Sequence, residues 1–244
     1  MIKIQNLKFG YKPKSKLFNK TRETQSPILM SINLEIKSGE LYGLVGPNGC
    51  GKTTLAKLVM GIYEPDKGSI MIDGKKRPNL NDGMWKRRIG NVSGASSRLF
   101  STMMLGEHVA MYSSIYEKFD QQWFYEKLVD LRIHDKMNRW ASSLSFGERI
   151  KFELALTLSC KPEILILDEP TVGLDPSAIL QIRKMVNEYL VKYNACGIMT
   201  SHNLKDLTTT CERGGFLENG FITNEYVSAE VDADELERRY LEVF

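Results

Sequence analysis

The sequence predicts an α/β fold: a parallel-sheet core, small antiparallel β elements at its N-terminal end, and a helical insertion. Three observations carry this. Gly46-Pro47-Asn48-Gly49-Cys50-Gly51-Lys52-Thr53 fits G-x-x-x-x-G-K-[ST] between a short apolar strand, Glu40 to Val45, and a helix, Thr53 to Met60. Ile164-Leu165-Ile166-Leu167 is apolar without alternation, as expected of a parallel strand covered on both faces, and it ends in two acids, Asp168 and Glu169. Between these stretches, from about Phe100 to Leu158, apolar residues such as Val109, Tyr112, Tyr116 and Phe119 recur at helical spacing.

The glycine-rich loop has a physical reading. A strand that runs into such a loop and then a helix start turns backbone N–H groups toward one point, and the helix end adds partial positive charge. That is a seat for phosphate. Lys52 would reach the terminal phosphates of a nucleotide, and the Thr53 hydroxyl would take one Mg²⁺ position. An accidental tight turn is the alternative, and the flanking strand and helix argue against it.

The remaining elements follow in order. Met1 to Tyr11 alternates apolar and polar residues, which predicts an edge strand. Lys12 to Pro27 is a basic, proline-bounded stretch that reads as a hydrated loop. Ile28 to Ile36 resumes the alternation, and Ser69 to Ile72 makes another short strand before Asp73-Gly74. After the acids come a helix over about Ala178 to Lys192, a strand at Gly197 to Thr200, a tail with turns at Arg213-Gly214-Gly215 and Asn219-Gly220, and a terminal helix from Glu235 to Phe244.

Composition excludes several classes. The net charge of +3 over 244 residues is too small to argue for nucleic acid or an anionic membrane surface. No apolar run approaches the roughly 20 residues of a spanning helix. Met1 to Asn6 does not read as a signal peptide. Cys50, Cys160, Cys196 and Cys211 are scattered without a C-x-x-C pair, which favours reduced thiols over disulfides or zinc.

Asp168 and Glu169 lie at the carboxyl end of their strand, where open parallel sheets bind ligands. Asp168 would hold Mg²⁺ together with Thr53, and Glu169 could polarise a water for in-line attack on a γ-phosphate. Upstream, Leu144-Ser145-Phe146-Gly147-Glu148-Arg149 leads into a helix, and Ser145 with Glu148 matches a capping box.

Taken in order, Gly46–Thr53, Leu144–Arg149, Ile164–Pro170, Gly173-Leu174-Asp175 and Thr200-Ser201-His202 resemble the motifs of ATP-binding-cassette (ABC) ATPases over essentially the whole chain. The resemblance implies a P-loop NTPase core and one domain, 1–244. Residues 1–95 and 160–244 would form the nucleotide-binding core and β subdomain, and about 96–159 a helical signature subdomain. It implies that Tyr11 stacks on adenine, that Gly46 to Thr54 cradle ATP, and that Asp168 is the Walker B acid with Glu169 the catalytic base. Ser145 and Gly147 would bind the γ-phosphate held by another subunit, Asp175 would belong to a loop crossing the dimer interface, and His202 would contact the γ-phosphate. His108 and His134 lack such a setting and read as packing or surface residues.

The implied function is the ATP-hydrolysing subunit of a transporter. It would lie in the cytoplasm on the inner face of the membrane, pair as a homodimer or heterodimer, and drive permease subunits on separate chains. Leu144–Lys151, Gly173–Pro176 and the ending Tyr240–Phe244 are most similar to ABC-2 exporters. The rivals are a soluble ABC ATPase of translation or DNA repair, which usually has two cassettes or a long coiled-coil insertion, and a P-loop kinase, which would lack Leu144–Glu148. Three departures from the family pattern stand out. Gly94 or Ala95 occupies the place of a glutamine that touches Mg²⁺ and reports to the membrane subunit, with Ser93, Ser96 or a water as substitutes. Phe146 and Glu148 replace Gly and Gln, and Cys50 replaces the commoner alanine or serine.

Overall fold

A computed structural model describes residues 1–11, 27–79, 81–201 and 203–244. The N-terminal half contributes strands β1 (Ile2–Gly10), β2 (Pro27–Ile36) and β3 (Leu41–Val45), then helix α1 (Lys52–Met60) and strands β4 (Lys67–Ile72) and β5 (Lys75–Lys76). A short helix α2 (Gly83–Arg87) and strand β6 (Ile89–Ser93) lead to helices α3 (Leu105–Ile115), α4 (Gln121–Asp130) and α5 (Phe146–Ser159). The last third holds β7 (Ile164–Asp168), α6 (Pro176–Tyr193), β8 (Cys196–Thr200), α7 (Leu204–Thr210), β9 (Arg213–Glu218), β10 (Phe221–Val227) and α8 (Ala233–Val243).

These elements form a four-stranded antiparallel sheet, β2-β1-β4-β5, and a six-stranded sheet, β10-β9-β3-β8-β7-β6. The neighbours from β9 to β6 run parallel, and β10 adds an antiparallel edge. One sequence expectation is corrected here. β1 pairs with both β2 and β4, so it lies inside its sheet and is not an edge strand. Alternation reports one covered face and is blind to how many neighbours a strand has. The expectation for Lys12 to Pro27 falls, but for Pro27 itself, outside the described residues.

The parallel strands feed two cores. Tyr42, Leu44, Ile164, Ile166 and Ile198 face the antiparallel sheet, and α1 fills the space between with Leu55, Leu58 and Val59. Leu41, Val45, Leu165, Leu167 and Met199 face the other way onto α4, α5 and α6 through Phe124, Phe152, Met185 and Tyr189. Covering on both faces is why these strands read as continuous apolar runs. The indole of Trp85, buried on α2, donates to the carbonyl of Met60 (2.9 Å) and fixes the far end of α1. Among the described residues no helix is long and apolar enough to cross a membrane.

Candidate functional site

The site is assembled at the carboxyl ends of β3, β7, β8 and β6. The chain leaves the fully buried β3 through Gly46 and enters α1 at Gly51, whose φ of 116° only glycine adopts readily. Gly51 caps α1 without a side-chain hydrogen bond, so the first-turn amides keep no cap of their own. An anion is the natural partner for such a turn. Lys52 is buried, and its ammonium donates to the carbonyls of Gly46 (2.6 Å) and Pro47 (3.1 Å). An ammonium has three donors, so the grip on the loop still leaves one for phosphate.

Two threonines hold the Asp168 carboxylate. Thr53 donates to Oδ2 (3.2 Å) and Thr200 to Oδ1 (2.7 Å). The structure thus brings Thr53 and Asp168 together as expected from the motifs, and it adds Thr200, whose motif was visible but whose role was not. A hydroxyl and a carboxylate are hard oxygen donors, which suits Mg²⁺. Among the described residues no group of three His, Cys, Asp or Glu could hold a metal. The remaining positions around Mg²⁺ would therefore fall to phosphate and water oxygens, as is usual for this ion.

Glu169 follows in the left-handed region at φ 54°, a conformation that costs a non-glycine residue roughly 1–2 kcal/mol. Its N–H donates to the carbonyl (3.0 Å) and hydroxyl (3.2 Å) of Thr200, which hold the turn in place. Strain of this kind concentrates where a side chain must be aimed.

Gly94, one of the two residues in the place of the family's glutamine, packs against this turn. Its N–H donates to the carbonyl of Asp168 (2.9 Å), and a Cβ at this position would lie 2.3 Å from the carbonyl oxygen of Glu169. No side chain fits at residue 94 while Glu169 keeps this backbone. Of the two serines considered as substitutes, Ser93 accepts from the N–H of Ala95 (3.2 Å), and Ser96 is exposed.

Tyr11, half exposed, packs edge-on against Phe9 and Tyr63 and shares a 3.0 Å hydrogen bond with the Thr54 hydroxyl. It therefore stands beside the first turn of α1. Asn48 and Gly49 are exposed at the loop tip. Ser145 and Gly147 lie apart from this group. Ser145 is exposed, its hydroxyl accepts from the N–H of Glu148 (3.3 Å), and the Glu148 carboxylate accepts from the N–H of Ser145 (3.0 Å). The hydrogen bond from Lys136 and that from Ser145 hold the Glu148 carboxyl below its ordinary pKa. Asp175 caps α6 by accepting from the N–H of Ala178 (3.0 Å). His202 lies outside the described residues. His108 is fully buried and accepts from the N–H of Phe100 (2.9 Å), a packing role, and His134 is exposed.

The ABC transporter family model matches residues 29–172, more than half of the chain. This chain belongs to the ABC transporter family. It is an ABC ATP-binding domain and an ATPase. It is 28% identical over 260 residues to the phosphonates import ATP-binding protein PhnC of Alcaligenes faecalis, covering 98% of this chain and 88% of that one. It is 29% identical over 220 residues to the lipopolysaccharide export system ATP-binding protein LptB of Escherichia coli (strain K12), covering 88% and 90%. A solved structure of an ATP-binding subunit of an ABC transporter superposes with a TM-score of 0.81 at 23% identity over 99% of this chain and 98% of that one, a likeness of fold.

Within this ABC domain Cys50 is the accessible thiol. Its side chain occupies the space above Gly46, where a Cβ would approach the sulfur to 2.7 Å. Burial pushes the Cys50 thiol up from its ordinary pKa, and the Lys52 ammonium opposes that only in part. Cys160, Cys196 and Cys211 are buried, and burial raises their thiols too, that of Cys160 to about 12. A maleimide is therefore expected to modify Cys50 selectively, faster at alkaline pH, and to block ATP binding, with saturating ATP slowing the reaction. Mass spectrometry with nucleotide titration checks this. Unchanged ATP binding in fully modified protein would refute it.

Proposed function

We propose that this chain is the ATP-hydrolysing subunit of an exporter of the ABC-2 kind, driving permease subunits on separate chains from the cytoplasmic face of the membrane. The observation that carries the two-subunit part is Ser145. It is exposed at the start of α5, and among the described residues its hydroxyl is hydrogen-bonded within its own capping box and to no residue of the phosphate loop. This supports the family arrangement, in which the phosphate for Ser145 comes from a second ABC subunit, identical or not, paired head to tail. ATP binding closes that pair and hydrolysis reopens it.

The residue roles in this reading are those that the family motifs imply. Gly46 to Thr54 cradle the phosphates, with Lys52 on the terminal ones, and Tyr11 offers its ring to adenine. Thr53 and Asp168 hold Mg²⁺, which when bound neutralises charge on the β- and γ-phosphates. Glu169 takes a proton from the attacking water, and His202 contacts the γ-phosphate. Ser145 and Gly147 meet the partner's ATP, and Asp175 keeps the interface loop in place by capping α6. The relatives carry names of both import and export systems, and the exporter reading rests on Leu144–Lys151, Gly173–Pro176 and the Tyr240–Phe244 ending. Nucleic acid has no part in this reading.

Purification of the tagged chain from detergent-solubilised membranes tests the partner. Recovery of a multi-spanning protein in stoichiometric amount is expected. Recovery with ribosomes or DNA instead would overturn the transporter reading.

A further inference from the structure

Two of the departures noted in the sequence, Phe146 and Gly94, meet at one side chain, Arg149. Its guanidinium lies over the Phe146 ring, with Cζ 4.8 Å from the ring centre. One end, Nη2, donates to the carbonyl of Gly94 (3.3 Å), and the other, Nη1, donates to Glu153 Oε1 (3.3 Å). Glu153 is 3% exposed and accepts in turn from the hydroxyl of Ser97 and the N–H of Arg98 (3.0 Å). Residues one turn apart on α5 thus clasp the whole loop that follows β6.

Each end of this clasp leads to a part of the site. Phe146 is the first residue of α5, next to Ser145, and its ring packs over Gly173 in the loop between β7 and α6, where a Cβ would lie 3.7 Å from Cε1. Gly94 is bonded through its N–H to the Asp168 carbonyl and lies beside the Glu169 carbonyl, with no space there for a side chain. A planar, forked guanidinium can stack on a ring and bond two acceptors at once, which an ammonium cannot. A displacement of the α5 start must therefore move either Arg149 or the Gly94 carbonyl it holds.

We propose that Arg149 is a positioning residue for hydrolysis: stacked on Phe146 and bonded to Gly94, it ties the start of α5 to the backbone that aims Asp168 and Glu169. It touches no phosphate itself. The proposal rests on the assignment of Asp168 and Glu169 to ATP hydrolysis. Its consequence is that α5 and the end of β7 respond as a unit when Ser145 engages a second subunit's nucleotide.

The test uses the full chain and Mg²⁺-ATP. Arg149→Lys keeps the charge but loses the fork and the stack, and Phe146→Leu keeps an apolar helical residue but loses the ring face. Each is expected to lower the maximal rate of hydrolysis about ten-fold while half-saturating ATP stays within about two-fold, the mark of an interaction that serves the transition state and not ground-state binding. The double variant is expected to be no slower than the slower single one, because both remove the same link. Rates are expressed per ATP-binding site, so a variant that merely unfolds loses sites and not turnover. An unchanged maximal rate in Arg149→Lys, rate losses that multiply in the double variant, or a loss that vanishes on normalisation would each overturn the proposal. A wild-type chain that binds ATP without turning it over would overturn the underlying assignment, and this proposal with it.

Discussion

Glu169→Gln is expected to bind ATP as the wild type does, to lose hydrolysis by at least about 100-fold, and to accumulate as an ATP-bound pair of subunits. Glutamine matches glutamate in size, so the left-handed turn at residue 169 and its two bonds to Thr200 are retained. What is lost is the carboxylate proposed to accept a proton from water. A positioned general base contributes on the order of 10²–10⁴ in rate, which sets the size of the effect. The groups assigned to ATP binding, the loop amides, Lys52 and the Thr53–Asp168 pair, are untouched. In the proposed pair, with two ATP molecules as shared interface and no hydrolysis to release them, the subunits should stay closed. Steady-state phosphate release, nucleotide titration and size-exclusion chromatography in Mg²⁺-ATP check the three parts separately. Undiminished hydrolysis would show that Glu169 is not the base.

The parts of this molecule that could be read from sequence are those whose physics is local. Gly46 to Thr53 declared itself because a phosphate seat needs a strand, glycines and a helix start within a few residues. Ile164 to Leu167 did so because double-sided burial leaves no polar residue in the run. Ser145 and Glu148 did so because a capping box is a relation across three residues, and the structure holds both of its hydrogen bonds. What was hidden depends on partners distant in the chain. β1 gives the same alternation with one neighbour or two. In the sequence Gly94 and Ala95 mark only a missing glutamine, and the close approach of the Glu169 carbonyl to Gly94 is visible in the fold alone. Thr200 and Arg149 were likewise in plain view, yet their targets, Asp168 and Gly94, lie too far along the chain for any spacing rule.

A second group invisible to local pattern predicts the largest change in stability. Asp206, on α7, is 2% exposed, accepts from the Thr171 hydroxyl (2.5 Å), and is paired with Arg183 of α6. Thr171 belongs to the loop that follows Glu169, so this cluster ties α6 and α7 to the segment just beyond the candidate base. Arg183 is itself mostly buried, and its Nε has no hydrogen-bond partner among the described residues. Its charge is therefore met chiefly through Asp206. Asp206→Ala strands that guanidinium and the Thr171 hydroxyl together, and breaking a buried pair from one side costs about 3–5 kcal/mol. For a chain of this length the thermal midpoint should fall by about 10 °C, at roughly 2–4 °C per kcal/mol. Replacing both charges, Asp206→Leu with Arg183→Met, should recover most of the loss, since well-packed apolar residues often stand in for a buried ion pair at little cost. Thr171→Val removes one neutral donor and should cost only about 1 kcal/mol. Thermal and urea denaturation of the four proteins give the comparison. If Asp206→Ala melts within a degree or two of the wild type, the pair does not hold these helices to the loop. If instead the double replacement is as unstable as Asp206→Ala, the cost lies in lost packing and not in a stranded charge.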